Sequence, residues 1–159
     1  MPISRLFSVL ALTAALTVMA GAGAASEGRD HVLSQAVQHV GDIKITLTRI
    51  ESNSETITVY FEVLNEGAAT SEIALAGPGY NRNGTYLMAG GRKIVARQIA
   101  IAGFYSRSYL KTEYAPGIAK SGLLVFEGWD GEAGDIAYLQ LFVRGKGYRR
   151  IQLDYFVQP

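Results

Sequence analysis

Residues 56–64 read TITVYFEVL, and this run decides the fold class of the chain. Apolar side chains alternate along it with polar or amphipathic ones: Ile57, Val59, Phe61 and Val63 against Thr58, Tyr60 and Glu62. A period of two puts one set on each face of a β-strand. The turn formers Asn65 and Gly67 follow directly. The run therefore predicts a strand that buries one face.

The same alternation recurs along most of the 159-residue chain. It is visible in residues 43–48, 137–143 and 151–157, residues 71–76 are a short strand candidate and residues 121–127 an apolar one, and turns rich in Gly, Asn and Pro separate these runs. We therefore predict a single all-β domain with antiparallel strands. Seven to nine short strands with such turns are typical of a β-sandwich or a barrel.

Residues 92–102 leave two interpretations open. Their apolar positions shift phase between Ala96 and Ile99, which favours a strand with a bulge near Arg97–Gln98 over a short helix. A second local signal is Asn83-Gly84, the dipeptide most typical of a tight β-hairpin turn.

The first 25 residues have the three parts of a secretory signal peptide. Arg5 precedes the apolar run LFSVLALTAALTVMA, and small residues with A-x-A spacing follow it. We predict cleavage of this segment; an uncleaved membrane anchor is the alternative. Residues 26–35 are interpreted as a flexible N-terminal arm and residues 36–159 as the β-domain. The protein is therefore expected in the periplasm or outside the cell, without a stable membrane span.

The charge balance argues against a nucleic-acid partner. The chain has 15 Lys and Arg residues against 14 Asp and Glu residues, and one of the basic residues, Arg5, lies in the predicted signal peptide. The mature chain would then be neutral, whereas a general nucleic-acid binder has a basic excess. The chain has no cysteine, which excludes disulfides and thiol catalysis.

Two segments carry a resemblance to a known family. Residues 41–67 read GDIKITLTRIESNSETITVYFEVLNEG, and residues 114–128 read YAPGIAKSGLLVFEG. Together they resemble the immunoglobulin-like domain of unknown function that is common in bacterial secreted proteins and lipoproteins, where it is sometimes mislabelled telomeric repeat-binding factor. The matching positions are Asn65, Gly67, Gly84, Pro116, Gly117, Gly122 and Phe126.

The resemblance covers roughly residues 41–143 and implies an immunoglobulin-like sandwich outside the cytoplasm. Its matching positions are turn and core residues, so it implies no catalytic residue. Members of the family typically have a lipobox cysteine and a low-complexity linker. This chain has neither, so lipid tethering does not follow from the resemblance.

The residues that catalysis requires are scarce. The only histidines, His31 and His39, lie near the start of the predicted domain, and no G-x-S-x-G sequence is present. The glycine-rich stretches precede no predicted helix that could bind phosphate. We therefore predict that the protein is not an enzyme and needs no cofactor.

Residues 127–135 read EGWDGEAGD and contain the only tryptophan, Trp129. The favoured interpretation is a hairpin turn between residues 121–127 and the following strand. A weak divalent-metal site at Asp130, Glu132 and Asp135 is an alternative, although the spacing fits a calcium loop only loosely. Trp129 is expected either to close the end of the core or to stay exposed as a binding anchor.

Two further segments are candidate binding surfaces. Tyr105, Arg107 and Tyr109 are spaced to share one face of a strand, and Tyr with Arg is typical of protein interfaces. Residues 144–150, RGKGYRR, form a predicted basic hairpin in which Arg149 and Arg150 could meet an anionic partner. For each segment a solvated surface of the sheet is the simpler alternative.

The sequence favours a non-catalytic interaction module that contacts a protein or another component of the cell envelope. The alternative is a carbohydrate-binding module in which Tyr105, Tyr109 and Trp129 stack on sugars. A hydrolase that uses the carboxylates of residues 127–135 is the third hypothesis.

Overall fold

The structure is a computed structural model, and it describes residues 29–31, 36–53, 55–77, 84–131, 135–144 and 148–154. These residues form twelve strands. The strands are β1 (Arg29–His31), β2 (Val37–Val40), β3 (Ile43–Ser52), β4 (Thr56–Asn65), β5 (Ser71–Ala76), β6 (Tyr86–Ala89), β7 (Arg92–Ile101), β8 (Phe104–Ser106), β9 (Tyr109–Tyr114), β10 (Ala119–Glu127), β11 (Ile136–Arg144) and β12 (Tyr148–Asp154).

The strands form two hydrogen-bonded layers with antiparallel pairing. In the first layer, β4 pairs with β3 and β10, β10 pairs with β7, and β8 lies at the edge beside β7. β1 and β2 both pair with β3 at the other edge. In the second layer, β11 pairs with β12 on one side and with β5 and β6, while β9 pairs with β5. The predicted all-β sandwich is confirmed.

β7 belongs to both layers. Its first residues, Arg92 to Val95, pair with β6, and its residues from Ala96 onward pair with β10. The register with β10 shifts so that Gln98 faces Val125 but Ala96 faces Phe126, which leaves Arg97 as an extra residue. The predicted bulge is thus confirmed, and the competing helix does not form. The bulge lies where the strand leaves one layer for the other, as is common at the corners of β-sandwiches.

The number of strands exceeds the predicted seven to nine because four strands are only three or four residues long. One of them, β1, lies within the predicted flexible arm and pairs with β3. The strands on either side of Asn83-Gly84 do not pair with each other, because β5 and β6 both pair with β11. Asn83 itself and residues 1–25 lie outside the described part of the chain. Within that part, no helix has the length and apolarity that a membrane crossing requires.

The prediction of a hairpin around residues 127–135 is wrong. β10 pairs only within the first layer and β11 only within the second. The chain therefore passes from one layer to the other between β10 and β11.

One apolar core fills the space between the layers. The first layer contributes Ile45, Leu47, Ile57, Val59, Phe61, Ile99 and Phe126, and the second contributes Leu75, Leu87, Leu139, Leu141 and Val143, none of them more than 1% exposed. Gly122 of β10 lies against the Phe61 ring, and a Cβ atom at this position would overlap it. The absent side chain at Gly122 thus makes room for the largest core-facing side chain of β4.

Asn65, the last residue of β4, is buried and connects the two layers. Its Nδ2 donates to the carbonyl oxygens of Ala69 and Tyr114, both at 2.8 Å, and its Oδ1 accepts from the Gly67 amide at 3.0 Å. Its own carbonyl accepts from the Gly117 amide at 2.8 Å. Because Tyr114 ends β9, the side-chain amide of Asn65 joins the end of a first-layer strand to the end of a second-layer strand.

We expect Asn65→Ala to lower the free energy of unfolding by about 2–4 kcal/mol, because it leaves buried donors and acceptors without partners. Chemical denaturation monitored by circular dichroism measures the loss. Asn53→Ala is the matched control: the Asn53 side chain also makes three hydrogen bonds, all accepted by its Oδ1, but in an exposed turn, and its removal should cost about 1 kcal/mol. Equal losses in the two variants would contradict the role of Asn65.

Candidate functional site

The most exposed apolar side chains lie on a hairpin at the edge of the first layer. β7 and β8 are joined by Ala102 and Gly103, with φ angles of 49° and 84°, and Ile101 pairs with Phe104 across the turn. Positive φ at both central residues is the geometry of a type I′ turn, which fits the twist of a β-hairpin. The Ala102 amide also donates to the Ser121 carbonyl at 2.9 Å. The hairpin is therefore held in place by β10.

Phe104 and Tyr105 are 73% and 75% exposed. They are neighbours in a strand, so they point to opposite faces of the sheet. Phe104 pairs with buried Ile101 and thus lies on the core side of the layer. It is nevertheless exposed, and β8 is a three-residue strand at the edge of its layer, paired only with β7. Tyr105 points outward on the other face.

The predicted single strand through Tyr105, Arg107 and Tyr109 is wrong. β8 ends at Ser106, and β9 begins at Tyr109 in the other layer. The Ser108 amide donates to Ser106 Oγ at 3.0 Å, and the Ser108 carbonyl accepts from the Gly77 amide. These bonds fix the bend at residues 107–108, so Tyr105 and Tyr109 do not share a strand face.

Tyr105, Arg107 and Tyr109 lie within five consecutive residues around this bend, at the edge of the sandwich. Arg107 is exposed at the bend, and Tyr109 is 49% exposed beside a shallow groove lined by Ala74, Ala76, Phe142 and Arg144. We name Phe104, Tyr105, Arg107 and Tyr109 the β8 corner. Phe104 lies in the same aromatic and basic segment of the sequence but was not among the predicted binding residues, and its exposure is seen only from its place beside the hairpin turn.

Trp129 is buried, with 6% of its surface exposed. Its indole packs so closely against Gly90 and Gly131 that a Cβ atom at either glycine would overlap it, and the Arg92 guanidinium lies 5.8 Å from the ring centroid. Its Nε1 has no hydrogen-bond partner. The interpretation of Trp129 as a side chain that closes the core is confirmed, and the exposed anchor is not formed.

The described acidic residues near Trp129, Asp130 and Asp135, make different contacts. Asp130 is 89% exposed and lies 3.7 Å from Arg92, whereas Asp135 is exposed and contributes its carbonyl to the Gly90 amide at 3.0 Å. Glu132 lies outside the described residues. Among the residues that are described, no three metal-ligating side chains form a group that could hold an ion.

The predicted basic hairpin at residues 144–150 forms between β11 and β12, where Arg144 pairs with Tyr148. Arg149 and Arg150 pair with Val143 and Phe142. They therefore belong to strand β12 and not to the hairpin tip. Residues 145–147 lie outside the described part of the chain.

Two tyrosines have perturbed acidity. The hydrogen bond that the Tyr60 hydroxyl donates to Glu51 at 2.7 Å raises the pKa of Tyr60, with burial adding to the effect. Burial raises the pKa of Tyr114 to about 12, and the Thr112 side chain offsets only a smaller part. The Tyr114 residue is fully buried, and its hydroxyl makes no hydrogen bond of ordinary geometry. Tyr114 is therefore a core residue, and its buried hydroxyl lowers the stability of the fold.

Comparison with known protein families and with curated proteins finds no match to this chain. The resemblance to the immunoglobulin-like family therefore stays a prediction. Several of the positions that carry it nevertheless have structural roles: Asn65 and Gly117 are hydrogen-bonded to each other, and Gly122 packs on Phe61.

We expect Tyr114→Phe to leave the stability at pH 7 unchanged or to raise it by about 1 kcal/mol, because it removes a buried hydroxyl without a partner. Between pH 10 and pH 12 the unfolded chain releases the Tyr114 proton while the folded chain, with its pKa of about 12, still retains it. The wild type should lose roughly 2–3 kcal/mol over this window through Tyr114, and the variant should not.

Urea denaturation at pH 8 and at pH 11.5 measures this difference. Tyr105→Phe is the control, because Tyr105 is exposed and its replacement should leave the alkaline loss unchanged. An alkaline loss in Tyr114→Phe as large as in the wild type would contradict the assignment.

We also expect Ala102→Asn to raise the free energy of unfolding by about 0.5–1 kcal/mol, because Asn tolerates the left-handed conformation that Ala102 adopts at a cost. Thermal unfolding measures the gain. Ala137→Asn is the control. Ala137 is exposed within β11, and because Asn is a poor strand former, this variant should not gain stability. A destabilised Ala102→Asn would show that the turn is not of this type.

Proposed function

We propose that this protein is a non-catalytic, immunoglobulin-like interaction module that acts outside the cytoplasm and binds a partner protein through the β8 corner. The observation that carries the proposal is the exposure of Phe104 and Tyr105, which project about three quarters of their surface into solvent from an ordered hairpin. Exposed aromatic side chains of this kind are typical of binding sites, and aromatic residues dominate the energy of interfaces.

The rigidity of the hairpin supports this function. The type I′ turn and the bond from Ala102 to Ser121 order the backbone of the β7–β8 hairpin that carries Phe104 and Tyr105. A preordered binding surface loses less conformational entropy on association. Two exposed aromatic residues on a fixed strand can therefore supply useful binding energy.

The placement of the aromatic rings favours a protein over a flat sugar ring. Stacking on a polysaccharide requires rings that share one open face, but Phe104 and Tyr105 point to opposite faces of β8. Tyr109 begins a strand of the other layer, and Trp129 is buried. A partner protein can enclose both faces of the hairpin, whereas a sugar chain can stack on only one of them.

The location of the protein outside the cytoplasm is supported by sequence alone. Residues 1–25 have the pattern of a signal peptide, and the chain contains no cysteine that an oxidising compartment could cross-link. Both features are compatible with a partner in the cell envelope.

The test is capture from the periplasmic and culture fractions with the purified mature protein. We expect Phe104→Ser combined with Tyr105→Ser to abolish recovery of the partner, with a loss of at least about 100-fold in affinity once that partner is purified, because truncation of a central aromatic residue typically costs about 2 kcal/mol or more. Far-UV circular dichroism should be unchanged, since neither side chain is part of the core.

Val95→Ser is the matched control, because Val95 is another exposed apolar strand residue, 45% exposed, outside the β8 corner. It should leave capture unchanged. Recovery of the same partner by the double variant, or the absence of any partner for the wild type in both fractions, would contradict the proposed function.

A further inference from the structure

Arg107 differs from the other basic residues of the domain. Five of the described Lys and Arg side chains have an acidic partner within 4 Å: Lys44, Arg49, Arg92, Arg97 and Lys111. Lys93 lies over the Tyr86 ring, Lys120 donates to the Glu113 carbonyl, and Arg144 has a partner as well. Among the basic side chains that the structure describes, Arg107 alone has no ion pair, hydrogen bond or ring contact.

The basic residues nearest to Arg107 do have acidic partners, so the lack of a partner is specific to Arg107. The nearest cation in the sequence, Lys111, is neutralised by Glu72 at 2.7 Å. Arg97, on the neighbouring strand β7, is paired with Glu127 at 3.4 Å. The corner therefore carries one uncompensated positive charge beside its exposed aromatic side chains.

The backbone around Arg107 is fixed even though its side chain is free. The hydrogen bonds of Ser108 to Ser106 and Gly77 set the bend, and the pairing of β8 with β7 sets the strand before it. The backbone of Arg107 is thus set at the bend between β8 and β9, and the exposed side chain extends from this position. A guanidinium is a planar set of donors that matches a carboxylate in a bidentate pair.

We propose that the β7–β8 hairpin inserts into a cleft of a partner protein, and that a carboxylate at the rim of this cleft binds Arg107. The proposal rests on the proposed function and adds the chemistry of the partner: apolar walls that receive Phe104 and Tyr105 from opposite sides, and an acidic rim. A cleft is required because a flat surface could cover only one of the two aromatic side chains. The acidic rim follows from the single unpaired cation of the corner.

The probe for the test is the protein that wild type recovers in the capture experiment, purified and free of other components. We expect Arg107→Gln to weaken its Kd about 10-fold and Arg107→Glu about 100-fold, because the second change places two negative charges opposite each other. Arg107→Lys should recover part of the affinity, since it keeps the charge but not the bidentate geometry. Binding by wild type should weaken with added NaCl, and Arg107→Gln should show a smaller salt dependence.

Arg97→Gln is the matched control. It removes the same charge from an exposed side chain, 61% exposed, outside the β8 corner. Because surface ion pairs contribute little to stability, this variant should fold normally and keep the wild-type Kd and salt dependence.

The outcomes separate this proposal from the proposed function. Loss of binding in the Phe104→Ser, Tyr105→Ser variant together with an unchanged Kd in Arg107→Glu would overturn the acidic cleft and leave the proposed function standing. Binding that depends on none of these residues would overturn both. Recovery of only a polysaccharide, or of only a second copy of this chain, would also overturn the acidic cleft.

Discussion

The side-chain amide of Asn65 holds together chain segments that the layers alone would leave apart. Through one buried side chain, the end of β4 is joined to the end of β9 and to the loop at residues 67–69. An Asn amide has two donors and an acceptor, and here each finds a backbone partner, so the polar group adds stability without an unmet hydrogen bond. The hydrogen bonds of Asn65 to the Tyr114 carbonyl and the Gly117 amide set the path of the chain from β9 into β10. β10 in turn accepts a hydrogen bond from Ala102 in the β7–β8 hairpin.

The exposed position of the β8 corner is a consequence of how β7 crosses between the layers. β6 pairs with the first half of β7 and β8 with its last three residues. The bulge at Arg97 lies between these two pairings and directs them into different layers. β8 therefore pairs with another strand on one side only. A three-residue strand in this position cannot bury Phe104, although its register places that side chain on the core side.

The sequence was sufficient for features that depend on local pattern. Alternation in β3 and β4 predicted their buried faces, and the phase shift after Ala96 predicted the bulge. Pairing could not be read in this way, because β10 and β11 both alternate and the segment between them is long enough for either a hairpin or a crossover. The same limit applies to Tyr105 and Tyr109: their spacing suits one strand, but the hydrogen bonds of Ser108 that break the strand involve Gly77, which is distant in sequence.

Trp129 and Phe104 illustrate why a functional surface depends on tertiary structure. Trp129, the residue with the most obvious binding chemistry, lies between two glycines that leave room for its indole, and so it contributes to the core. Phe104, which was not among the predicted binding residues, lies on an edge strand and is largely exposed. Burial of Phe104 would have stabilised the fold by roughly 2 kcal/mol, and the domain forgoes this while holding the hairpin rigid through Ser121. A rigid, solvent-facing apolar side chain beside an unpaired arginine contributes little to folding, and its physical properties suit association with an acidic, partly apolar surface.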